Sequence, residues 1–248
     1  MDELDLYTIA ERDIELVNPT SLEKIVLIGK MLGLGPGKKL IDFGCGYAEP
    51  LIIWAEHFGI SGVGIELREA CCKRARKKIS KKGLEDRLDI IQADGSKYRS
   101  KGNYDFAVCL GASFIWGGFG PTVRNLKKAV RFGGKLAVGE PYWNSLPVPK
   151  EYVKRLGEYV FHTEHGLLEL ARKEGYDFEY IVRSSLDDWD RYETGNWYGL
   201  QKWLEQNPRD PDRKQVIEWL HKNQEEYLRW VRQYLGWAVY LMRPTAKP

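Results

Sequence analysis

The sequence predicts an α/β fold built on a mostly parallel sheet. Three observations predict it. Short apolar runs with strand character alternate with helical stretches through the first 140 residues. A Gly-x-Gly loop follows the first of those runs and leads into a helix. Acidic residues, Asp42, Glu66 and Asp94, stand at the ends of three successive strand candidates.

The elements follow in order. Thr20-Ser21-Leu22-Glu23 reads as a capping box opening a helix that stops near Gly33-Leu34-Gly35-Pro36-Gly37, so residues 1–37 form an N-terminal helical segment. Strand one is Lys39–Phe43, followed by a helix at about Ala48–Phe58. Strand two is Gly62–Glu66, followed by a basic helix around Arg68–Lys82. Strand three is Leu88–Gln92 and strand four is Tyr104–Leu110. A helix at about Thr122–Arg131 precedes strand five, Lys135–Glu140. The rhythm then changes: a helix at Thr163–Glu174 leads to a strand at Phe178–Val182, and a final strand covers Trp237–Met242. Between these last two lie some fifty residues rich in Trp and Tyr. In them Ile217, Leu220, Tyr227, Val231 and Tyr234 fall on one helical face.

Composition narrows the function. The 248 residues fit one domain with room for an insertion. A hydrophobic fraction of 43% and a charged fraction of 29% are those of a globular protein. No apolar stretch reaches the roughly 18–20 residues of a membrane span. The acidic start Met1-Asp2-Glu3-Leu4-Asp5 has no apolar region after it, so no secretory signal and a cytoplasmic location are expected. Cys45, Cys71, Cys72 and Cys109 form no C-x-x-C pair and read as reduced thiols. No His/Cys/Asp cluster has metal-ligand spacing, so no metal is expected. The net charge of +3 is too small to imply a nucleic-acid partner.

The loop Asp42-Phe43-Gly44-Cys45-Gly46-Tyr47-Ala48 carries the chemistry. Glycine lets backbone approach a ligand closely, and a helix N-terminus offers free N–H groups. A dinucleotide fingerprint reads Gly-x-Gly-x-x-Gly/Ala, and here the last position is Glu49, a poor neighbour for pyrophosphate. Asp42 adds negative charge beside the loop. S-adenosylmethionine (SAM), with an ammonium, a sulfonium and no phosphate, suits the arrangement better. Glu66 is placed to accept from ribose hydroxyls and Asp94 from an adenine amino group. Ligands of open α/β sheets bind at these carboxyl ends.

Leu40-Ile41-Asp42-Phe43-Gly44-Cys45-Gly46, Glu66, Asp94-Gly95 and Leu110-Gly111 together resemble the motifs of the class I SAM-dependent methyltransferases, over roughly residues 38–143. The resemblance implies a Rossmann-like seven-stranded methyltransferase fold, with the last strand antiparallel between strands five and six. It implies that Asp42, Gly44, Cys45 and Gly46 hold the methionine part of SAM. Glu66 would bind ribose with Leu67 against the adenine, Asp94 and Gly95 would fix the adenine edge, and Leu110 and Gly111 would lie near the reacting methyl. Ala48 departs from the commoner glycine, which a negative φ would accommodate. Gly139-Glu140-Pro141-Tyr142-Trp143, Trp189-Asp190-Arg191-Tyr192-Glu193 and Tyr234-Leu235-Gly236-Trp237 are similar to an uncharacterised, small-molecule-type subgroup. In the seven-stranded topology the α-helical insertion between strands six and seven, residues 184–235, starts and ends on the cofactor side, so a lid over the substrate is expected.

Strand four is followed by Leu110-Gly111-Ala112-Ser113-Phe114, not the Asn/Asp-Pro-Pro-Tyr of DNA and glutamine amino-methyltransferases. Glu140, at the end of strand five beside the expected methyl position, is the catalytic candidate, placed to accept a proton or hold a cation. Ser113, Trp116, Tyr142 and Trp143 are candidate pocket residues. In the insertion, Trp189, Arg191, Tyr192 and Trp197 join them, because aromatic faces attract ammonium groups and Arg191 suits a carboxylate. Glu140, Asp190 and these aromatics lean the acceptor toward an amine. The expected partner is a small molecule. The alternatives are an RNA or protein methyltransferase working through the basic helix, and a non-catalytic SAM-binding protein. Oligomeric state is not legible.

Overall fold

A computed structural model describes residues 1–157 and 160–245 of the chain. Seven strands form one sheet in the order β3-β2-β1-β4-β5-β7-β6. β1 (Lys39–Phe43), β2 (Ser61–Glu66), β3 (Leu88–Gln92), β4 (Tyr104–Leu110) and β5 (Val130–Trp143) pair parallel. β7 (Leu235–Pro244) lies antiparallel between β5 and β6 (Tyr176–Arg183), the mixed arrangement that the resemblance implied. The strands read as apolar runs because helices cover both faces of the sheet. One core packs α2 (Leu22–Leu32) and α3 (Glu49–Phe58) against Leu40, Val108, Ala137 and Val239. The other packs α5 (Phe119–Ala129) and α7 (Glu164–Lys173) against Ile41, Ala107, Val138 and Tyr240, with the short α6 (Lys150–Arg155) between them in the chain.

Several boundaries differ from expectation for local reasons. The cap of α2 is Ser21, whose hydroxyl accepts from Lys24 N–H, so no Thr20–Glu23 box forms. Thr20 is buried, and its hydroxyl accepts from the Trp237 indole at 3.2 Å. α5 begins at Phe119 and gives way to β5 at Val130, well before the expected Lys135. α4 (Glu69–Lys81) buries Cys71, Cys72, Ala75 and Ile79 on its inner side.

The insertion is built from α8 (Leu186–Gln206), α9 (Arg213–Glu226), a π-helical turn (Tyr227–Val231) and α10 (Arg232–Tyr234). The expected single amphipathic face is broken by the π turn. On this turn Tyr227 and Trp230 are buried in two separate aromatic clusters, and Val231 is only half-buried. α1 (Glu3–Ala10) packs on this insertion: Leu6 and Ala10 share a small core with Leu200, Leu204, Val216 and Leu220. The close approach needs glycine. A Cβ at Gly199 would stand 2.2 Å from the Ala10 carbonyl oxygen, and one at Gly195 would stand 2.6 Å from Ile14.

Candidate functional site

The loop after β1 is shaped by positive backbone angles. Gly44 has φ +72° and Gly46 φ +53°. A Cβ at Gly44 would stand 2.4 Å from Ala112 and one at Gly46 would stand 2.6 Å from Val17. Ala48 has φ +58°, contrary to the negative angle expected of an alanine there. Left-handed backbone costs an alanine about 1–2 kcal/mol. The turn bond from its N–H to the Cys45 carbonyl, the Ile52 N–H accepted by its own carbonyl, and the complete burial of its methyl group hold it in place.

Three carboxylates converge here. Asp42 is buried, its Oδ1 has no hydrogen-bond partner, and burial, then the nearby Glu66, push its carboxyl up to about 8. Glu66 accepts from Gly46 N–H and Arg68 N–H, each at 2.9 Å. These bonds orient it and leave lone pairs for further donors. Asp94 accepts from the Ser96 hydroxyl at 2.6 Å and the Ser96 N–H at 2.9 Å, which hold its carboxyl below the usual range. A fourth acid, Glu11, was not legible in the sequence. It is buried, receives Arg68 at 2.6 Å, and burial raises its carboxyl despite that partner.

These groups border one cavity of about 580 Å³ at the carboxyl ends of β1, β2 and β4. Gly44, Gly46, Glu66, Leu67, Asp94, Gly95, Leu110, Gly111 and Tyr192 all line it. Asp42 and Cys45 lie just beneath, around a small adjoining space that they share with Gly44, Leu110 and Asn18. The roof is a surprise: Glu3, Leu4, Tyr7 and Glu11 of the N-terminal segment line the cavity, together with Tyr192 from α8, while Leu4, Tyr7, Leu67 and Phe114 stay exposed at its rim. For the N-terminal part of that roof the only sequence signal is the acidic, aromatic first turns before Thr20, which match no ligand motif; Tyr192 was a candidate from the insertion.

The remaining candidates fall elsewhere. Glu140 is buried with Oε2 unpartnered, and burial raises its carboxyl to about 7 against the opposing pull of the Ser113 hydroxyl. Ser113 faces Glu140, while Ala112, Phe114 and Ile115 face the cavity. Glu140 therefore stands behind that turn. Trp116 packs edge-on to Phe43 at 5.1 Å. Tyr142 belongs to the sheet core, and Trp143 packs edge-on to Phe161 at 5.3 Å in a separate cluster. Arg191 donates to the Thr20 carbonyl at 3.1 Å and approaches Asp188 at 3.5 Å, so its guanidinium ties the insertion to the N-terminal segment. The bidentate pair in this region is Arg232 with Asp190, at 2.9 and 3.1 Å. Trp189 and Trp197 flank Tyr227 in the interior of the insertion.

The basic helix α4 is largely spent on internal partners. Arg74 stacks over Tyr47 at 3.8 Å and donates to the Arg12 and Ile14 carbonyls. Lys78 pairs with Glu15 and Glu49, Lys73 with Glu69, and Arg76 donates to the Ile90 carbonyl. All four cysteines are buried thiols. No helix among the described residues is long and apolar enough to cross a membrane.

Comparison with known proteins agrees with this geometry. A family model described as mycolic acid cyclopropane synthetase matches residues 2–136. The chain is 32% identical over 245 residues to YjhP, an uncharacterised protein of Escherichia coli K12, covering 98% of this chain and 99% of that one. It is similar to the crystal structure of a SAM-dependent methyltransferase from Geobacter sulfurreducens in complex with S-adenosyl-L-homocysteine. The TM-score is 0.91 and the identity 34%, covering 97% of this chain and 98% of the other. A SAM-dependent methyltransferase from Thiobacillus denitrificans, in complex with the same molecule, gives a TM-score of 0.91 at 33% identity, over 98% of this chain and all of its own. With a strand-end glycine loop, a converging set of acids and the seven-stranded mixed sheet in place, this chain belongs to the class I SAM-dependent methyltransferases, in the family described as mycolic acid cyclopropane synthetase.

Proposed function

We propose that this enzyme transfers the methyl group of SAM to a small-molecule acceptor by direct in-line displacement. The observation that carries the reading is the buried, unpartnered Asp42 carboxyl beside a glycine loop that admits no side chain, just beneath the cavity. A buried acid without a partner is costly unless a cation completes it. The ammonium of the cofactor's methionine part is such a cation. In this reading Gly44, Cys45 and Gly46 pass backbone along that part, and Glu66 takes the ribose hydroxyls. Leu67 lies against the adenine, whose edge Asp94 and Gly95 fix. Leu110 and Gly111 border the reacting end.

SAM supplies an already activated methyl group. The chain's own task is to align the acceptor and exclude water, and alignment contributes about 7–11 kcal/mol. The cavity's volume of about 580 Å³ and its lining by Tyr7, Glu11 and Tyr192 support a small acceptor. A base is required only for an acceptor that arrives protonated. Glu140, with its raised carboxyl, is proposed for that proton, acting from behind the Ser113 turn. Glu140→Gln should then lower kcat by about 100-fold and flatten its pH profile; full activity on the true substrate would remove Glu140 from the mechanism.

The test of the function is release of S-adenosylhomocysteine across a metabolite panel by the purified protein. Turnover with a metabolite supports the reading. Methylation of bulk RNA or protein, with none of any metabolite, would overturn it.

A further inference from the structure

The methyl-transfer reading leaves the acceptor's chemistry open, and the inference that follows rests on that reading. α8 carries Trp189, Glu193 and Trp197 at successive four-residue intervals, which places all three along one face. That face looks onto Tyr227 of the π turn, with ring separations of 6.3 Å from Trp189 and 5.8 Å from Trp197. Trp189 also stands edge-on to Trp237 at 6.4 Å. Trp237 in turn lies over Gly111, where a Cβ would come within 2.9 Å of its ring. Gly111 lines the cofactor cavity, so the aromatic wall begins where the reacting methyl is proposed to lie.

Two independent features of this face are incomplete. The first is hydrogen bonding. The indole N–H groups of Trp189 and Trp197 are buried without an acceptor, and Trp189 is only 7% exposed. Buried donors are ordinarily paired, and an exception calls for a missing partner. The second is charge. Glu193 has no hydrogen bond or ion pair among the described residues. The charged group it faces is another acid, Glu226 of α9; Tyr7, Tyr152, Tyr192 and Tyr227 complete its titratable surroundings. Burial, then Glu226, push the Glu193 carboxyl up to about 8. Nearby acids show the contrast: Asp188 is paired with Lys24 and Asp190 with Arg232. The π turn that carries Tyr227 adds a third sign, since such single turns in helices gather at functional sites.

We propose that this face of α8 is the acceptor site, and that the acceptor is a small cationic amine bearing an oxygen. Its ammonium lies between the Glu193 carboxylate and the ring faces of Trp189, Trp197 and Tyr227, and its oxygen accepts from the unpartnered indole N–H groups. Before transfer the acceptor nitrogen gives a proton to Glu140, the base of the methyl-transfer reading; the freed lone pair then forms the N–CH3 bond as the S–CH3 bond of SAM breaks and S-adenosylhomocysteine leaves. A carboxylate with aromatic faces attracts an ammonium by both charge and ring quadrupole. Neither attracts the uncharged analogue comparably. The pairing also removes both deficits at once, which a purely apolar ligand would not.

The experiment uses choline and 3,3-dimethylbutan-1-ol as probes, a pair that differs by a cationic nitrogen in place of a carbon. Each is titrated into the full-length protein saturated with S-adenosylhomocysteine, at constant ionic strength. The readout is the ¹⁵N indole resonances, with Trp189→Phe and Trp197→Phe supplying the assignments. Choline is expected to shift the Trp189 and Trp197 signals, with the neutral probe at least tenfold weaker. Glu193→Gln should weaken choline at least tenfold, leave the neutral probe unchanged, and leave S-adenosylhomocysteine binding by calorimetry unchanged. Equal binding of the two probes, or choline binding indifferent to Glu193→Gln, overturns the acceptor site while the methyl-transfer reading stands. Failure of the wild-type protein to bind S-adenosylhomocysteine overturns the methyl-transfer reading itself. Should Glu193→Gln fail to fold, the contrast between the two probes on the wild-type protein decides.

Discussion

The cavity is made by two regions that solve the same problem differently. Its floor comes from the sheet, residues 38–143, where backbone does most of the holding. Gly46 and Arg68 N–H groups orient Glu66, and the Ser96 N–H orients Asp94. Its roof comes from the two ends of the chain, the N-terminal segment and the insertion, where side chains from distant positions meet. Arg12 donates to Gln206 at 2.9 Å, Lys202 pairs with Asp13, and Lys24 pairs with Asp188. Floor groups are preorganised by the strands beneath them. The roof depends on helix packing and on ion pairs of mixed exposure: Arg68–Glu11 and Lys24–Asp188 are largely buried, whereas the more exposed Lys202–Asp13 pair contributes little. The floor is therefore expected to be rigid and specific for the cofactor, and the roof to be the part that opens.

The largest break in that comparison is expected at Asp42. Asp42→Asn should weaken SAM binding by roughly 30- to 4,000-fold, the loss of about 2–5 kcal/mol usual for one partner of a buried charge pair. The same variant should raise the melting temperature of the free protein at neutral pH, since it removes a buried acid with no partner. Calorimetry and thermal unfolding on one sample check both halves.

The pH dependence of the free protein follows from the same residue. The Asp42 carboxyl is raised from 3.8 to about 8 by burial. The folded state thus binds the proton more tightly than the unfolded state. Its contribution is fully present below pH 3.8 and is lost as pH rises toward about 8, at roughly 1.4 kcal/mol per pH unit. A bound cation reverses this preference. SAM binding should therefore release a proton below pH 8 and strengthen with pH up to that point. Calorimetry in buffers of different ionisation enthalpy measures the proton directly.

The roof breaks more gently. At Gly199 helix propensity and packing oppose each other: alanine gains up to about 1 kcal/mol in a helix. Here its methyl would press on the Ala10 carbonyl oxygen, and overpacking costs about 1–3 kcal/mol. Packing wins, so Gly199→Ala should destabilise by about 1 kcal/mol in urea unfolding and speed S-adenosylhomocysteine dissociation, with little change in its association rate. The smallest effect is expected on α4. Lys77 and Lys81 are exposed and have no partner among the described residues. Changing both to Glu should alter stability by less than about 0.5 kcal/mol and leave turnover unchanged. A large loss of activity there would revive a role for the basic helix in binding an anionic substrate.

The floor residues carry local signals in the sequence. Asp42, the two glycines, Glu66 and Asp94 each lie within three residues of a strand end, and strand ends follow from apolar runs. The same local logic failed at Ala48, where a left-handed angle is enforced by surrounding packing that no neighbour in sequence reveals. Nor does sequence show that the Arg191 guanidinium donates to the Thr20 carbonyl and so ties the insertion to the N-terminal segment. Glu193 stood inside a run already singled out for its aromatics. Its four-residue spacing from Trp189 and Trp197 was visible, but its lack of any cationic partner was not.

The sequence by itself determined the sheet, the loop, and the acids that identify the cofactor's chemistry, because apolar periodicity, glycine placement and strand-end carboxylates act over a few residues. Tertiary structure alone decided what covers the cavity and which acids remain unpaired. Closure joins Ala10 to Gly199 and Thr20 to Trp237 across most of the chain, and Glu11 to Arg68 across 57 residues. Burial and pairing of a charge depend on every element packed around it, and that is set only when the helices have docked.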